Sequence, residues 1–257
     1  MEIKFIGTGS GSVSLDRYHS SFLIQVPGQN LLMDAGDSIS RALRQSSVDI
    51  NSINSILISH FHPDHLNGLS SLIIQMKMNK RKEKLQILVH ENLLERLRRF
   101  LEYNYIFNER TGFELQLLPF RSGKKHIVSS RLSFLARENT HLEKYMENIG
   151  KEDISTLVSC SFLFDIGETK VFYTADVGGS EDLYLFSDMR PNVIITEATH
   201  IGPEEIGNAF RKLQPERVIL THINSHESQI STWIETMDEE TRSRFIIACD
   251  GMTYKLV

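Results

Sequence analysis

The chain has 257 residues, 40% hydrophobic and 24% charged, ordinary proportions for a globular protein with enough material for a sizeable core. Its formal net charge of −5 offers no broad attraction to nucleic acid or to an anionic membrane, so a polyanion would have to meet a local patch. No apolar run reaches the roughly eighteen residues of a membrane span, and the opening MEIKFIGTGSGS lacks the features of a signal peptide, so the expectation is a cytoplasmic protein that does not enter a membrane.

EIKFIG, HSSFLIQV and NLLMDAG read as short apolar strands separated by Gly- and Ser-rich turns, and no helix is signalled before about Ser38. INSILIS is a buried strand that leads into LISHFHPDHLNGL, after which Leu66, Leu69, Leu72, Ile73 and Met76 recur at helical spacing. LQILVH, residues 85–90, is the next strand, followed by a basic amphipathic helix from Glu91 to about Tyr103. A β-rich middle comprises FELQLLPF, HIVSSRLSFLA, TLVSCSFLFDI and KVFYTAD. Strand and helix then alternate: NVIITEA, a helix from Pro203 to Leu213, RVILTHI, a helix from Ser228 to Met237, RFIIACD and a last strand TYKLV. Two β-rich halves, each trailing into β-α units, predict an α/β fold, a four-layer αβ/βα sandwich, with residues 1–257 as a single domain. Cys160 and Cys249 lie in separate apolar runs with no CxxC pattern and are expected as buried, reduced thiols.

The segment after INSILIS places His60, His62, Asp64 and His65 within six positions, although the whole chain holds only ten histidines. Alternating histidines at a strand end turn both imidazoles to one side, and Pro63, which has no N–H to satisfy, restrains the turn that brings Asp64 and His65 back toward them. Four side chains of metal-ligand type so close together point to a metal-binding loop rather than to a solvated surface turn.

This HxHxDH segment resembles the hallmark of the metallo-β-lactamase superfamily, and the superfamily's other markers follow in order along most of the chain. Asp34 lies in LLMDAG, His141 in RENTHLEK, Asp176 in VFYTADVGG and His222 in VILTHINSH. The resemblance implies that His60, His62 and His141 bind one metal, that Asp64, His65 and His222 bind a second, and that Asp176 bridges the two. Asp34 would orient a ligand histidine by hydrogen bonding. Two divalent ions are implied; zinc suits the imidazole and carboxylate set, and manganese or iron fit the same donors. Such a pair would activate a shared water or hydroxide and polarise a bound ester. Read singly, Asp34 is also what a plain turn carboxylate looks like, and His126 is a rival to His141.

FIGTGSG, RYHSSFLI, DHLNGL and TEATH are similar to segments of the RNase Z and phosphodiesterase branch. His200 of TEATH is the candidate acid for the leaving oxygen, or else a polar residue at a helix start, and with Asp64 and Asp34 it completes the catalytic candidates. RNase Z carries a His where this chain has Thr196, and bacterial-type RNase Z inserts a long arm that grips tRNA between the third ligand and the bridging Asp. Here that interval holds only a short polar loop and two strands, which argues against tRNA 3′ processing.

The expected function is therefore hydrolysis of a small-molecule or nucleotide-like phosphodiester. The alternatives are hydrolysis of a lactone, thioester or other carboxylic ester at the same site, and an RNA-binding or sensing module without hydrolysis. Nucleic acid is a possible partner that is not favoured. The basic run Lys77, Lys80, Arg81, Lys82 and Lys84, and the helix bearing Arg96, Arg98 and Arg99, read as solvated helix ends rather than as its docking surface. GTGSGS is not a dinucleotide loop, because position 12 is Ser and no helix follows; it is either a loop bordering the site or a plain hairpin turn. His200, Ser225 and this loop are the candidates for facing substrate. Tyr103, Tyr105, Phe107 and Phe113 form a lid, a contact in a homodimer, or loop aromatics folded onto the core.

Overall fold

The computed structural model describes residues 1–224 and 227–256. The first half contains strands β1 (Glu2–Gly7), β2 (Ser21–Val26), β3 (Gln29–Met33), β4 (Ser55–Leu57), β5 (Leu85–His90) and β6 (Leu115–Phe120). Helices α1 (Ile39–Gln45), α2 (Pro63–Leu66), α3 (Leu69–Met78), α4 (Leu94–Tyr103) and α5 (Asn108–Thr111) fall between them. The second half contains β7 (Lys125–Ser129), β8 (Leu132–Glu138), β9 (Cys160–Ile166), β10 (Thr169–Tyr173), β11 (Val193–Glu197), β12 (Arg217–Thr221), β13 (Phe245–Ile247) and β14 (Thr253–Lys255). Its helices are α6 (Pro203–Leu213), α7 (Glu227–Glu235) and α8 (Glu239–Ser243).

The strands form two seven-stranded sheets, ordered β14-β1-β2-β3-β4-β5-β6 and β13-β12-β11-β10-β9-β8-β7. Each half begins with antiparallel pairs and turns parallel at β3–β4 in one sheet and at β10–β11 in the other. Two-residue turns join β2–β3, β7–β8 and β9–β10, whereas parallel neighbours need a longer crossover, such as α1 between β3 and β4 and α6 between β11 and β12. β14 returns to pair with β1 and ties the chain's end to its beginning.

The main core lies between the sheets. Phe22 of β2 meets Phe164 of β9 at 6.5 Å and Tyr173 of β10 at 4.9 Å between ring centroids, both edge to face. A second cluster, with Ile206, Phe210, Leu220, Ile230 and Phe245, seals α6 and α7 against the outer face of the second sheet. Helices outside, sheets inside, is the α/β sandwich expected from the strand pattern. HIVSSRLSFLA proves to be two strands, β7 and β8, joined at the Ser129–Leu132 turn. The polar run Ser129-Ser130-Arg131 marks that turn in the sequence.

Three expectations need correction. Cys160 is buried, but Cys249 is exposed, because β13 ends at Ile247 and Cys249 falls in the turn before β14. Arg81 is not a solvated helix end: it is 3% exposed, and its guanidinium donates to the carbonyls of Asn51, Glu83 and Lys84. The aromatic segment divides, since Phe113 is buried under the Arg81 guanidinium while Tyr103 and Tyr105 are more than four-fifths exposed.

Candidate metal centre

The polar residues of interest all follow the carboxyl ends of β3, β4, β8, β10, β11 and β12, which lie along one edge of the sandwich. In open parallel sheets this edge is where ligands sit. Three of these strands end in a residue with left-handed backbone near the site: Asp34 at φ 59°, Ala175 at φ 51° and His222 at φ 53°. A non-glycine residue there costs roughly 1–2 kcal/mol, and such strain persists where the surroundings over-determine it. It swings Asp34 and His222 inward instead of letting the strands run on. In the first sheet His62 begins α2, Pro63 occupies its first turn, and Gly36 lets the chain pass so close that a Cβ would lie 1.8 Å from the Asp64 carbonyl oxygen.

His60, His62, Asp64, His65, His141, Asp176 and His222 converge at this edge. Their donor atoms form two groups, His60, His62, His141 with Asp176 and Asp64, His65, His222 with Asp176, each within 4.8 Å and sharing Asp176. His62 Nδ1 lies 3.1 Å from His141 Nε2, and His65 Nε2 lies 3.4 Å from Asp64 Oδ2 and 3.3 Å from Asp176 Oδ1. His222 Nε2 is 3.2 Å from Asp64 Oδ2 and 3.3 Å from Asp176 Oδ1. His126, by contrast, stacks on Phe134 at 5.1 Å on edge strand β7, outside both groups.

Asp34, which the sequence singled out, and Ser59 and Val177, which it did not, bond the Nδ1 side of the ligand imidazoles. The Ser59 hydroxyl donates to Asp34 Oδ2 at 2.8 Å, so at its 3.0 Å contact with His60 Nδ1 it accepts. His65 Nδ1 donates to Asp34 Oδ2 at 2.8 Å, and His141 Nδ1 to the Val177 carbonyl at 3.3 Å. Each bond puts a proton on Nδ1 and turns Nε2 toward the centre. Asn139 accepts from the His141 amide and donates to the Asp176 carbonyl, joining the two loops. Buried Asp182 clasps Thr140 and the Gly178 amide. Ser59 and Asn139 flank ligands in sequence, which is a signal of sorts; Asp182 carries none.

The electrostatics follow from burial and charge. Burial pushes the His60 and His62 imidazoles below their ordinary range and His141 down to about 4, so all three are neutral at neutral pH. Burial also opposes protonation of His65 and His222, but the Asp176 carboxylate and its neighbours outweigh it and raise both. Burial works against ionisation of Asp64 and Asp176 as well, yet the contacts with His222 and His65 hold both carboxylates below the usual range. Among the described residues, four buried atoms of the ligand set, His60 Nε2, His65 Nε2, His222 Nδ1 and Asp176 Oδ1, have no hydrogen-bond partner. Leaving such an atom unmatched costs about 1–3 kcal/mol, and lone pairs converging on ionised carboxylates are what divalent cations would satisfy.

His200 stands at the rim, its side chain 33% exposed, its ring centroid 4.9 Å from that of His141 and 5.7 Å from that of His222. Its Nδ1 bonds Glu197 Oε1 at 2.9 Å, and Glu197 Oε2 also accepts the amides of Thr199 and His200. That hydrogen bond raises the His200 pKa against the effect of burial. The GTGSGS loop borders the centre: a Cβ on Gly11 would lie 3.1 Å from Asp64 Oδ2, and a cleft of about 400 Å³ opens between Ser12–Arg17 and Ile223–Asn224. Ser225 lies outside the described residues. Between His141 and Asp176 the chain holds two 3-10 turns, Glu143–Asn148 and Lys151–Thr156, followed by β9 and β10.

Among the described residues, no helix is long and apolar enough to cross a membrane. Residues 1–232 match the family model described as anti-Pycsar protein Apyc1. Ribonuclease Z of Metallosphaera sedula is 33% identical, covering 91% of this chain and 92% of its own length. The anti-Pycsar protein Apyc1 of Bacillus phage BSP38 is 28% identical over 99% of this chain and 98% of its own. The crystal structure of the metallo-β-lactamase-fold protein YhfI from Bacillus subtilis superposes with a TM-score of 0.75 at 17% identity, covering 98% of each chain. With its two facing sheets, its histidine and aspartate clusters and these similarities over nearly its whole length, the chain belongs to the Apyc1 family, as a metal-dependent hydrolase of the metallo-β-lactamase fold.

Proposed function

We propose that the protein is a dinuclear phosphodiesterase acting on a small or nucleotide-like phosphodiester. The observation that carries this reading is the pair of donor groups sharing Asp176, with buried lone pairs on His60, His65 and Asp176 that no protein group satisfies. In this reading His60, His62 and His141 would hold one divalent ion and Asp64, His65 and His222 the other, with Asp176 available to both, and zinc suits the donors. When bound, the ions supply Lewis acidity toward the phosphate oxygens and lower the pKa of a water.

The remaining work falls to the chain. Asp34 and Ser59 keep His65 and His60 in the tautomer that presents Nε2. Glu197 bonds Nδ1 of His200, and that bond favours the protonated imidazole, leaving Nε2 free of Glu197. His200 then donates its proton to the departing ester oxygen, and Glu197 stabilises the ring while it is charged. The short His141–Asp176 interval favours a compact substrate over tRNA. Free thiols at Cys160 and Cys249 suit a reducing compartment, consistent with a cytoplasmic enzyme.

The test loads purified protein with zinc, measures metal stoichiometry, and assays bis(4-nitrophenyl) phosphate, cyclic mononucleotides, a precursor tRNA and a lactone side by side. The expected result is two equivalents of metal, turnover of the small diesters, and loss of that turnover in His62→Ala. Absence of stoichiometric metal, or unchanged diesterase activity in His62→Ala, refutes the proposal, and preferential lactone hydrolysis replaces the substrate class.

A further inference from the structure

Beside the two donor groups that share Asp176 lies a third. Donor atoms of Glu197, His200 and His222 come within 4.8 Å of one another, and Asp176 is not among them. Glu197 ends β11 and His222 follows the neighbouring strand β12; both are buried, whereas the His200 side chain is 33% exposed and opens the group to solvent. His222 turns Nε2 to Asp64 and Asp176, which leaves Nδ1 on the side of Glu197. A ligand imidazole ordinarily gives its second nitrogen to a carboxylate, a carbonyl or a water. Here Nδ1 stands 4.0 Å from Glu197 Oε2, beyond hydrogen-bond reach. It has no hydrogen-bond partner among the described residues, although His222 is only 3% exposed. Glu197 Oε2 is already taken by the amides of Thr199 and His200, while Oε1 meets His200 Nδ1 at 2.9 Å. The His200 and His222 rings stack with centroids 5.7 Å apart. Two imidazoles and a carboxylate are thus gathered around a gap that no hydrogen bond fills.

We propose that Glu197, His200 and His222 form a third, inhibitory cation site, distinct from the two donor groups that share Asp176. Two histidines and one glutamate with an open fourth position are a donor set for zinc, whereas magnesium takes oxygen ligands. A cation there replaces the proton between His200 and Glu197 and takes His222 Nδ1 as its third donor. The displaced protons, one from each imidazole, go to water, and His222 then ligates through both nitrogens as an imidazolate. Because His200 opens to solvent, this cation exchanges with the medium more readily than one held by the buried ligands. With His200 held in this way the leaving oxygen loses its proton donor, so zinc supports turnover when scarce and suppresses it in excess. The inhibition rests on the phosphodiesterase reading above; the site itself does not.

Titrating the zinc-loaded full chain with further zinc chloride, and with magnesium chloride as control, tests it by calorimetry and by kinetics. Calorimetry should show a third, weaker equivalent of zinc and none of magnesium. As that equivalent binds, kcat/KM for a cyclic mononucleotide, whose alkoxide leaving group needs a proton, should fall by about 100-fold or more, the contribution of a general acid. His200→Ala should keep two equivalents, lose the third, and show no further loss of its already lowered activity in excess zinc. Glu197→Gln should lose the third equivalent as well, so that a folding defect in one variant leaves the other to decide. A stoichiometry that stops at two in excess zinc overturns the site, as does a third equivalent that survives in both variants. A third equivalent that leaves turnover undiminished overturns the inhibitory role. Loss of the third equivalent in these variants of a protein that hydrolyses no phosphodiester keeps the site and discards the proposed reaction.

Discussion

Replacing Asp34 by Asn exchanges one carboxylate oxygen for an NH2 in the most buried part of the centre and tests how the histidines are held. Asp34 is fully buried and accepts three hydrogen bonds: Ser59 N at 2.7 Å on Oδ1, with Ser59 Oγ and His65 Nδ1, both at 2.8 Å, on Oδ2. Asn tolerates left-handed backbone, so the φ of 59° is no obstacle to the substitution. An amide offers one acceptor where three donors converge. If its oxygen keeps the Ser59 amide, its NH2 faces His65 Nδ1, and His65 relieves the clash by moving its proton to Nε2, the atom that points at Asp64 and Asp176. That tautomer is blocked as a ligand. If the amide turns round, the Ser59 amide loses its acceptor, at a cost of about 1–3 kcal/mol in a buried site. The expected outcome is a roughly 10- to 100-fold loss of metal affinity, which is about 1.4–2.7 kcal/mol. Metal content after dialysis against graded zinc buffers reads the affinity, and 15N shifts of the imidazoles read the tautomer. If Asp34→Asn retains metal at wild-type affinity with unchanged 15N shifts and an unchanged melting temperature, the orienting role is wrong.

His200 has its pKa raised chiefly by its bond to Glu197, so activity should fall as pH climbs through that raised value, above the ordinary imidazole range. Glu197→Gln removes the stabilising charge and should move the alkaline limb of the kcat/KM profile to lower pH; an unmoved limb would clear His200 of the acid role. Arg81→Ala should destabilise by about 3 kcal/mol in urea unfolding, because three carbonyls lose a charged donor, whereas exposed Lys82→Ala should stay within about 0.5 kcal/mol. Zinc at about a hundredfold its Kd should stabilise the fold by roughly 2.7 kcal/mol, and differential scanning calorimetry should show that gain shrink in His141→Ala.

Much of the scaffold was legible because it is written locally. Pro203–Leu213 begins at a proline that suits the first helical turn and ends where the apolar period stops, and LQILVH is bounded by polar residues on both sides. The HxHxDH loop could be read for the same reason, since its four side chains are neighbours in the chain. Partnership across long separations could be named only by resemblance: His62 meets His141 from 79 residues away, and His222 meets Asp64 from 158.

Local pattern also misled where tertiary contacts decide. Arg81 sits in a basic run yet is buried, because the carbonyls of Glu83 and Lys84 just after it and of distant Asn51 meet its guanidinium. Cys249 sits in an apolar run yet faces solvent, because the strand stops two residues earlier. By itself the sequence determined the strands, the crossover helices and the chemical types of the donors, since periodicity and side-chain chemistry are properties of short segments. The tertiary structure decided which nitrogen of His60 and His65 is held by a neighbour and which carboxylate bonds His200, because a tautomer and a shifted pKa depend on neighbours that only the folded sheets bring together.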